Sequence, residues 1–385
     1  MITHTTAKCR PTSTTVKVPP AKLARVVEWI RHHLYRLHQR LTPAPAAMIE
    51  MILAGWTSQA ITVAAELGVA DALVGGPLPI DELAARVDAD ADALRRLLRA
   101  LISRGVFHLR RDGRYELNPL ADSLRSDARV SMKSAARFYG SQEQRERWTL
   151  LADSVRTGNA VVATLRGKES FDYFAEKPEL AELFNQTMTS ISEMTTATVV
   201  AGYDFSAYPT IVDVGGGHGP LLAAILAAAP ASQGVLFDLP PVVAQAPNLL
   251  RKTGVADRIQ IKAGSFFERI PGDGDAYVLK NIIHDWPDDK AVQILRNVRA
   301  AADRGATVLL VEFVIPKHNR DFAGKWVDLE MMLNLGARER TAAEYRDLLS
   351  RAGFRMIRVV ETASPLSVVE ARATGGVMEW MKRDS

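Results

Sequence analysis

The sequence predicts an α/β protein: a doubly wound, mostly parallel sheet ending in an antiparallel hairpin, preceded by an all-helical, winged-helix-like region. Three observations carry this. From residue 208 onward, β-branched runs at 210–214, 233–237, 258–261, 275–280 and 306–313 alternate with helical stretches, the pattern of a parallel sheet. Two more β-rich runs, Phe354 to Val360 and Leu366 to Ala371, are joined only by Glu361-Thr362-Ala363-Ser364-Pro365, a link suited to a hairpin. Before residue 205 helical periodicity dominates, interrupted by one short hairpin pattern.

Residues 1–20 are rich in Thr, Pro and Lys and are expected to be a disordered tail. Residues 21–41 read as a basic amphipathic helix, because Leu23, Val27, Ile30, Leu34, Leu37 and Leu41 recur at three- and four-residue steps. The reading favoured for this helix is packing on a partner subunit, with a membrane surface as the rival. Residues 42–125 form the winged-helix-like region. An apolar helical stretch at 46–75 leads to a helix start at Pro79-Ile80-Asp81-Glu82. A turn near Asp88–Asp92 and a helix from Ala93 to Arg104 come next. A strand starting at Gly105-Val106-Phe107 then turns at Asp112-Gly113 and returns through Tyr115-Glu116-Leu117. Arg95, Arg96, Arg99 and Arg104 could serve DNA, but leucines are interleaved with them, so a subunit contact is preferred. Residues 126–205 are expected to be a helical linker whose aromatics, among them Phe138, Phe171, Phe174 and Phe184, line a pocket for a flat ligand. Residues 206–373 form the sheet domain and 374–385 a tail.

Composition narrows the function. Residues 1–40 carry a net charge of +7, so the remaining 345 sum to −3 although the chain totals +4; the body lacks the charge excess of a nucleic-acid binder. No run of about 18 uncharged apolar residues exists, so no membrane span is expected. The single cysteine, Cys9, rules out a disulfide framework, and a cytoplasmic protein is expected.

The run Ile211-Val212-Asp213-Val214-Gly215-Gly216-Gly217-His218-Gly219 reads as strand, tight loop and helix start. Glycines there permit positive φ and close approach of a ligand, and the helix offers unpaired N–H groups. Pro220 stands where a dinucleotide fingerprint has its third glycine, and no Lys-Ser/Thr pair completes a phosphate loop. Asp238 ends the next strand, where a ribose hydroxyl pair is held; as a helix N-cap it has an alternative reading. Beyond the strand ends lie Lys280-Asn281-Ile282-Ile283-His284-Asp285-Trp286, then Glu312 and Glu339. One histidine with two carboxylate partners is a general-base arrangement. Glu312 as a core-edge acid and Glu339 as a capping or ion-pair residue remain the alternatives. The spacing suggests no metal.

These blocks, with Phe237-Asp238-Leu239-Pro240 and Glu339-Arg340-Thr341, make the chain resemble the class I S-adenosylmethionine-dependent methyltransferases, and within them the small-molecule O-methyltransferases of plants and of bacterial polyketide tailoring. The similarity covers roughly residues 45–373. It implies a dimerisation domain, a helical linker, a Rossmann-like catalytic domain and a homodimer. It places Asp213, Gly215, Gly217, Asp238, Leu239, Ser265, Phe266 and Lys280 at the cofactor, and Met188, Asp285, Trp286 and Asn334 at the acceptor. His284 is the implied base, flanked by Glu312 and Glu339. The implied reaction is metal-independent transfer to a hydroxyl of a small aromatic acceptor in one in-line displacement. Gly264-Ser265-Phe266-Phe267 departs from the Gly-Asp-Met-Phe of many relatives, losing an acid near the cofactor. The rivals are a relative supporting hydroxylation or decarboxylation, and a winged-helix DNA-binding regulator.

Overall fold

The structure, a computed structural model, describes residues 18–168, 173–174, 176–303 and 305–374. The expected tails lie almost wholly outside the described residues, as do Cys9 and Phe171. The chain opens with α1 (Ala21–Arg40), α2 (Ala44–Ile52) and α3 (Ala54–Glu66). By length and composition Ala44–Glu66, 23 residues long, could cross a membrane, its most apolar 18-residue window having mean hydropathy 1.2. The sequence expectation of no such span rested on uninterrupted apolar runs, and Glu50, Thr57, Ser58 and Gln59 interrupt this one. Its later turns bury Thr62, Ala64 and Ala65.

Next come α4 (Val69–Ala72), α5 (Ile80–Arg86), α6 (Ala91–Ser103) and a hairpin of β1 (His108–Leu109) and β2 (Tyr115–Glu116). Asp90 starts α6 by accepting from Ala93 N at 2.8 Å. The helix buries Leu94, Leu98 and Leu101. The hairpin begins later than the sequence suggested: Phe107 takes φ +66°, outside the β region, and sends its ring into the core at 2% exposure. Residues 120–205 are helical as expected, but broken into α7 (Pro119–Asp122), α8 (Lys133–Tyr139), α9 (Gln142–Thr149), α10 (Leu151–Thr157), α11 (Val162–Arg166) and α12 (Pro178–Gly202). Gly158, left-handed at φ +72°, ends α10. Phe138, Phe174 and Phe184 pack together with centroids 5.0–6.3 Å apart.

The main sheet holds β3 (Thr210–Val214), β4 (Gln233–Asp238), β5 (Ile259–Ala263), β6 (Ala276–Lys280), β7 (Thr307–Ile315), β9 (Phe354–Glu361) and β10 (Leu366–Ala373). Its order is β5-β4-β3-β6-β7-β10-β9, and β10 runs antiparallel to both neighbours. The expected terminal hairpin is therefore inserted with its second strand against β7. A further strand, β8 (Arg340–Thr341), pairs in parallel with the end of β7, Val314 opposite Arg340. Helices α13 (Pro220–Ala228) and α15 (Ala246–Thr253) cover one face, and α16 (Asp288–Ala301) and α18 (Ala342–Arg351) the other. Two-sided burial explains why β3, β6 and β7 read as continuous apolar runs. A four-residue helix, α14 (Pro240–Val243), follows β4, and a 13-residue helix, α17 (Ala323–Leu335), follows β7. Strand order reverses between β3 and β6, so a crevice opens at their carboxyl ends.

Candidate active site

The glycine loop leaves β3 with Gly215, Gly217 and Gly219 at φ +70°, +61° and +83°, which side chains rarely tolerate. A Cβ on Gly215 would lie 2.5 Å from Ile282 Cδ1, whereas one on Gly217 would meet nothing within 4 Å. The loop is thus pressed on β6's exit on one side and open on the other. Asp238 fixes it: Oδ2 accepts from Gly217 N at 2.8 Å and Oδ1 from Leu239 N at 2.7 Å. Its side chain does not cap α14, whose N-cap is Leu239, so the capping alternative fails. Leu239 itself stands half-exposed at the rim.

Beneath the loop Asp213 is 1% exposed. Burial pushes its carboxyl up to about 7, against the pull of Lys280. Burial likewise lowers Lys280, opposed by Asp213 and Glu312, and its Nζ donates to Ser192 Oγ at 2.9 Å. Met188 lies one turn before Ser192 on α12 and so shares its face. Ser265 Oγ accepts from Phe267 N at 3.2 Å, closing the turn after β5. Phe266 packs on Phe267, and Trp286 stands edge-on to Phe267 at 4.6 Å and to Phe266 at 6.1 Å. The resemblance put Trp286 with the acceptor; in the structure its ring packs against Phe266 and Phe267.

His284 sits just past β6, 8% exposed, with Glu312 at 0% and Glu339 at 4%. Its Nδ1 lies 2.6 Å from Glu339 Oε1, and Nε2 lies 3.3 Å from Asp285 Oδ1. Asp285, assigned to the acceptor by the resemblance, therefore flanks the ring. Glu312 makes a different bond: Oε1 accepts from Ile282 N at 3.1 Å and Ile283 N at 2.9 Å. It holds the loop, and Asn281 at φ +52° makes the bend that turns both N–H groups toward it. Glu339 is no helix cap, since Thr341 and Glu344 form the capping box of α18. Burial would pull His284 down, but Asp285, Glu312 and Glu339 outweigh it and raise the imidazole to about 10. Burial raises Glu312 to about 7. One donor atom each from His284, Glu312 and Glu339 lie within 4.8 Å of one another, a set with room for a divalent cation that the sequence spacing did not suggest.

Asn334 on α17 does not present a free amide. Its Oδ1 accepts from Arg147, and its Nδ2 donates to Glu330 Oε1 at 2.6 Å. Trp148 Nε1 donates to Glu330 Oε2 at 2.8 Å. This network ties α9 to α17 and went unnoticed in the sequence, as did Arg340. The Arg340 guanidinium, fully buried, donates to Ile283 O at 3.0 Å, Trp286 O at 2.9 Å and Asp288 Oδ1 at 2.7 Å. Asp328 accepts from Glu339 N at 2.9 Å. A cavity of about 730 Å³ elsewhere, beneath α1 and beside α2, α3 and α8, contains none of these groups.

Residues 148–355 match the O-methyltransferase domain and residues 49–127 the O-methyltransferase dimerisation domain. The chain is 42% identical over 330 residues to a phenazine O-methyltransferase of Lysobacter antibioticus, covering 86% of this chain and 96% of that one. The chain belongs to the O-methyltransferase family. The methyltransferase also superposes on mitomycin 7-O-methyltransferase with TM-score 0.79 at 37% identity, covering 86% of this chain and 98% of the other. A neocarzinostatin-biosynthesis O-methyltransferase, solved with S-adenosylmethionine and 2-hydroxy-5-methylnaphthoic acid, gives TM-score 0.70 at 34% identity, covering 82% and 96%. S-adenosylmethionine is the cofactor of this enzyme. The crevice fits it: Asp213 Oδ2 and Asn281 Oδ1 are buried without a partner, and such groups call for a polar ligand. Gly217 is open beside the loop, and Phe266 Cε1 would lie 3.7 Å from a Cβ on Gly215.

Proposed function

We propose that this O-methyltransferase methylates a hydroxyl of a fused-ring aromatic acceptor, with His284 as the base. The observation that carries the reading is the 2.6 Å contact of His284 Nδ1 with Glu339 Oε1, buried beside Lys280 and the glycine loop. A carboxylate accepts only, so in the neutral ring Nδ1 keeps its hydrogen toward the closer Glu339, and Nε2, 3.3 Å from Asp285 Oδ1, is the nitrogen that takes the proton. The acceptor class rests on the phenazine and naphthoic acid in the names of the relatives. When bound, the cofactor supplies an electrophilic methyl carbon.

Asp213, Gly215, Gly217, Asp238, Leu239, Ser265, Phe266 and Lys280 would hold and orient the cofactor, and Met188 would close over the acceptor from α12. Glu339 orients the imidazole and stabilises its cationic form, Asp285 flanks Nε2, and Glu312 sets the loop. An ordinary phenol titrates near 10 and an ordinary histidine near 6.5. The acids around His284 lift it to about 10, so proton transfer from a phenol to the neutral ring is nearly balanced, but the ring must first shed its own proton and turnover rises with pH. The remaining barrier is lowered by positioning the two reactants. Because His284, Glu312 and Glu339 already serve these roles, no metal enters the reading. We further propose a homodimer, through residues 42–125, in the cytoplasm.

The test is His284→Ala. Turnover should fall to a small residue of the wild-type rate while S-adenosylhomocysteine still binds by calorimetry. A product one methyl heavier, identified by mass, checks the reaction; turnover retained in the variant would end the base assignment.

A further inference from the structure

Helix α1 docks on the rest of the chain through its polar side. Arg25 Nε lies 2.5 Å from Glu361 Oε2, His32 Nδ1 lies 3.4 Å from Asp321 N, and Gln39 Nε2 lies 3.3 Å from Met51 Sδ. These three residues are seven apart and form one line along the helix. The opposite side holds Leu23, Val27, Ile30, Leu34 and Leu37, alternating four- and three-residue steps, and each is between 43% and 60% exposed. A helix that merely covered its own domain would turn this stripe inward.

The stripe is bordered by cations. Lys22, His33 and Arg40 lie along one margin and Arg31 and His38 along the other, while Arg36 lies nearer the docking line and donates to Gln39 Oε1 at 3.0 Å; Glu28 is the only acid in residues 1–40. Trp29, 48% exposed, stands at the first margin. We propose that α1 is a docking helix for a bilayer rich in anionic lipid. Its apolar stripe enters the headgroup–acyl boundary, its arginines reach the phosphates, and Trp29 sits at the interface. Charge complementarity decides between this and a second copy of the chain. Pairing α1 with itself would oppose two helices of net charge +4 each, with arginine and histidine flanking both seams and Glu28 the single acid on each helix. An anionic surface meets the same charges favourably. The dimerisation match begins only at residue 49, so α1 lies outside it.

The full-length enzyme is mixed with phosphatidylcholine vesicles with and without phosphatidylglycerol and separated by flotation. The bound fraction should be about tenfold or more higher on the anionic vesicles and should fall as salt is added. Ile30→Asp with Leu34→Asp, and separately Arg31→Glu with Arg36→Glu and Arg40→Glu, should abolish flotation while methyl transfer and solution mass stay those of the wild type. The proposal is overturned if the wild-type enzyme ignores anionic vesicles, or if both variants float as it does. It is also overturned if the aspartate variant halves the solution mass, which would assign the stripe to a second copy.

Discussion

Replacing Glu339 by glutamine keeps its size and removes its charge from beside His284. A hydrogen bond to a charged group contributes about 1.5–3 kcal/mol and a neutral one about 1 kcal/mol. The substitution therefore forfeits about 1–2 kcal/mol of imidazolium stabilisation at the moment the ring takes the acceptor's proton. At about 1.4 kcal/mol per tenfold, kcat falls roughly 5- to 30-fold. The pH profile supplies a second, independent readout. The base must be neutral to act, so the rate rises with pH as His284 loses its proton. Glu339 is one of three carboxylates that raise this imidazole to about 10. With its charge gone the ring titrates lower, so the rising limb of kcat shifts toward acid even as its plateau drops. Affinity for S-adenosylhomocysteine, which we assign to residues at the ends of β3 and β4, should hold. Steady-state turnover at saturating substrates across the pH range, with calorimetry alongside, reads all three. An unmoved limb with an unchanged plateau would refute the role given to Glu339; a parallel loss of cofactor affinity would show that the site had collapsed.

Arg340→Met leaves the carbonyls of Ile283 and Trp286 without their buried donor and should cost about 2–4 kcal/mol, seen as a lower melting temperature together with reduced turnover; an unaltered melting temperature would count against its anchoring role. The ligand-free enzyme should also lose stability toward alkali. His284 titrates near 6.5 unfolded and about 10 folded, so its contribution is complete below about 6.5 and lost as pH rises through 10. Asp213 and Glu312, both raised to about 7 by burial, act in the same direction earlier: their contribution is complete below their unfolded values near 4 and lost as pH rises through 7. Thermal melts from pH 7 to 10 should slope downward in the wild type and less steeply in His284→Gln; parallel slopes would refute the assignment.

Much of this was legible in the sequence because buried parallel strands write themselves as apolar runs: β3 matches its expected bounds, and β4 and β7 run only slightly beyond theirs. The residues brought to the crevice were legible too, since strand ends fix where a loop emerges. What the sequence hid is what depends on pairing between distant segments. β8 is two residues long and has no periodicity to detect. Arg340 looks like one basic residue among many until Ile283 and Trp286 turn their carbonyls toward it. Asn334 looks like a pocket amide, but Arg147, in a helix far upstream, takes its oxygen. Glu312 and Glu339 were indistinguishable as partners of His284. Only the geometry separates the acid that touches the ring from the acid that holds the loop.

The pairing of β8 with β7 has a consequence for how such an enzyme can diversify. The segment between them, residues 316–339, contains α17 and its Glu330–Asn334 contacts to α9, yet both its ends are stitched together where β8 pairs with the end of β7. Glu339, Arg340 and Thr341 respectively aim the imidazole, clamp its loop and start α18. In an extended segment a shift of one residue turns each side chain to the opposite face, so the stitch tolerates no slippage. Apart from Asp328, which holds Glu339 N, the chain between the stitches can lengthen, shorten or reshape around a different guest molecule while His284 stays where it is.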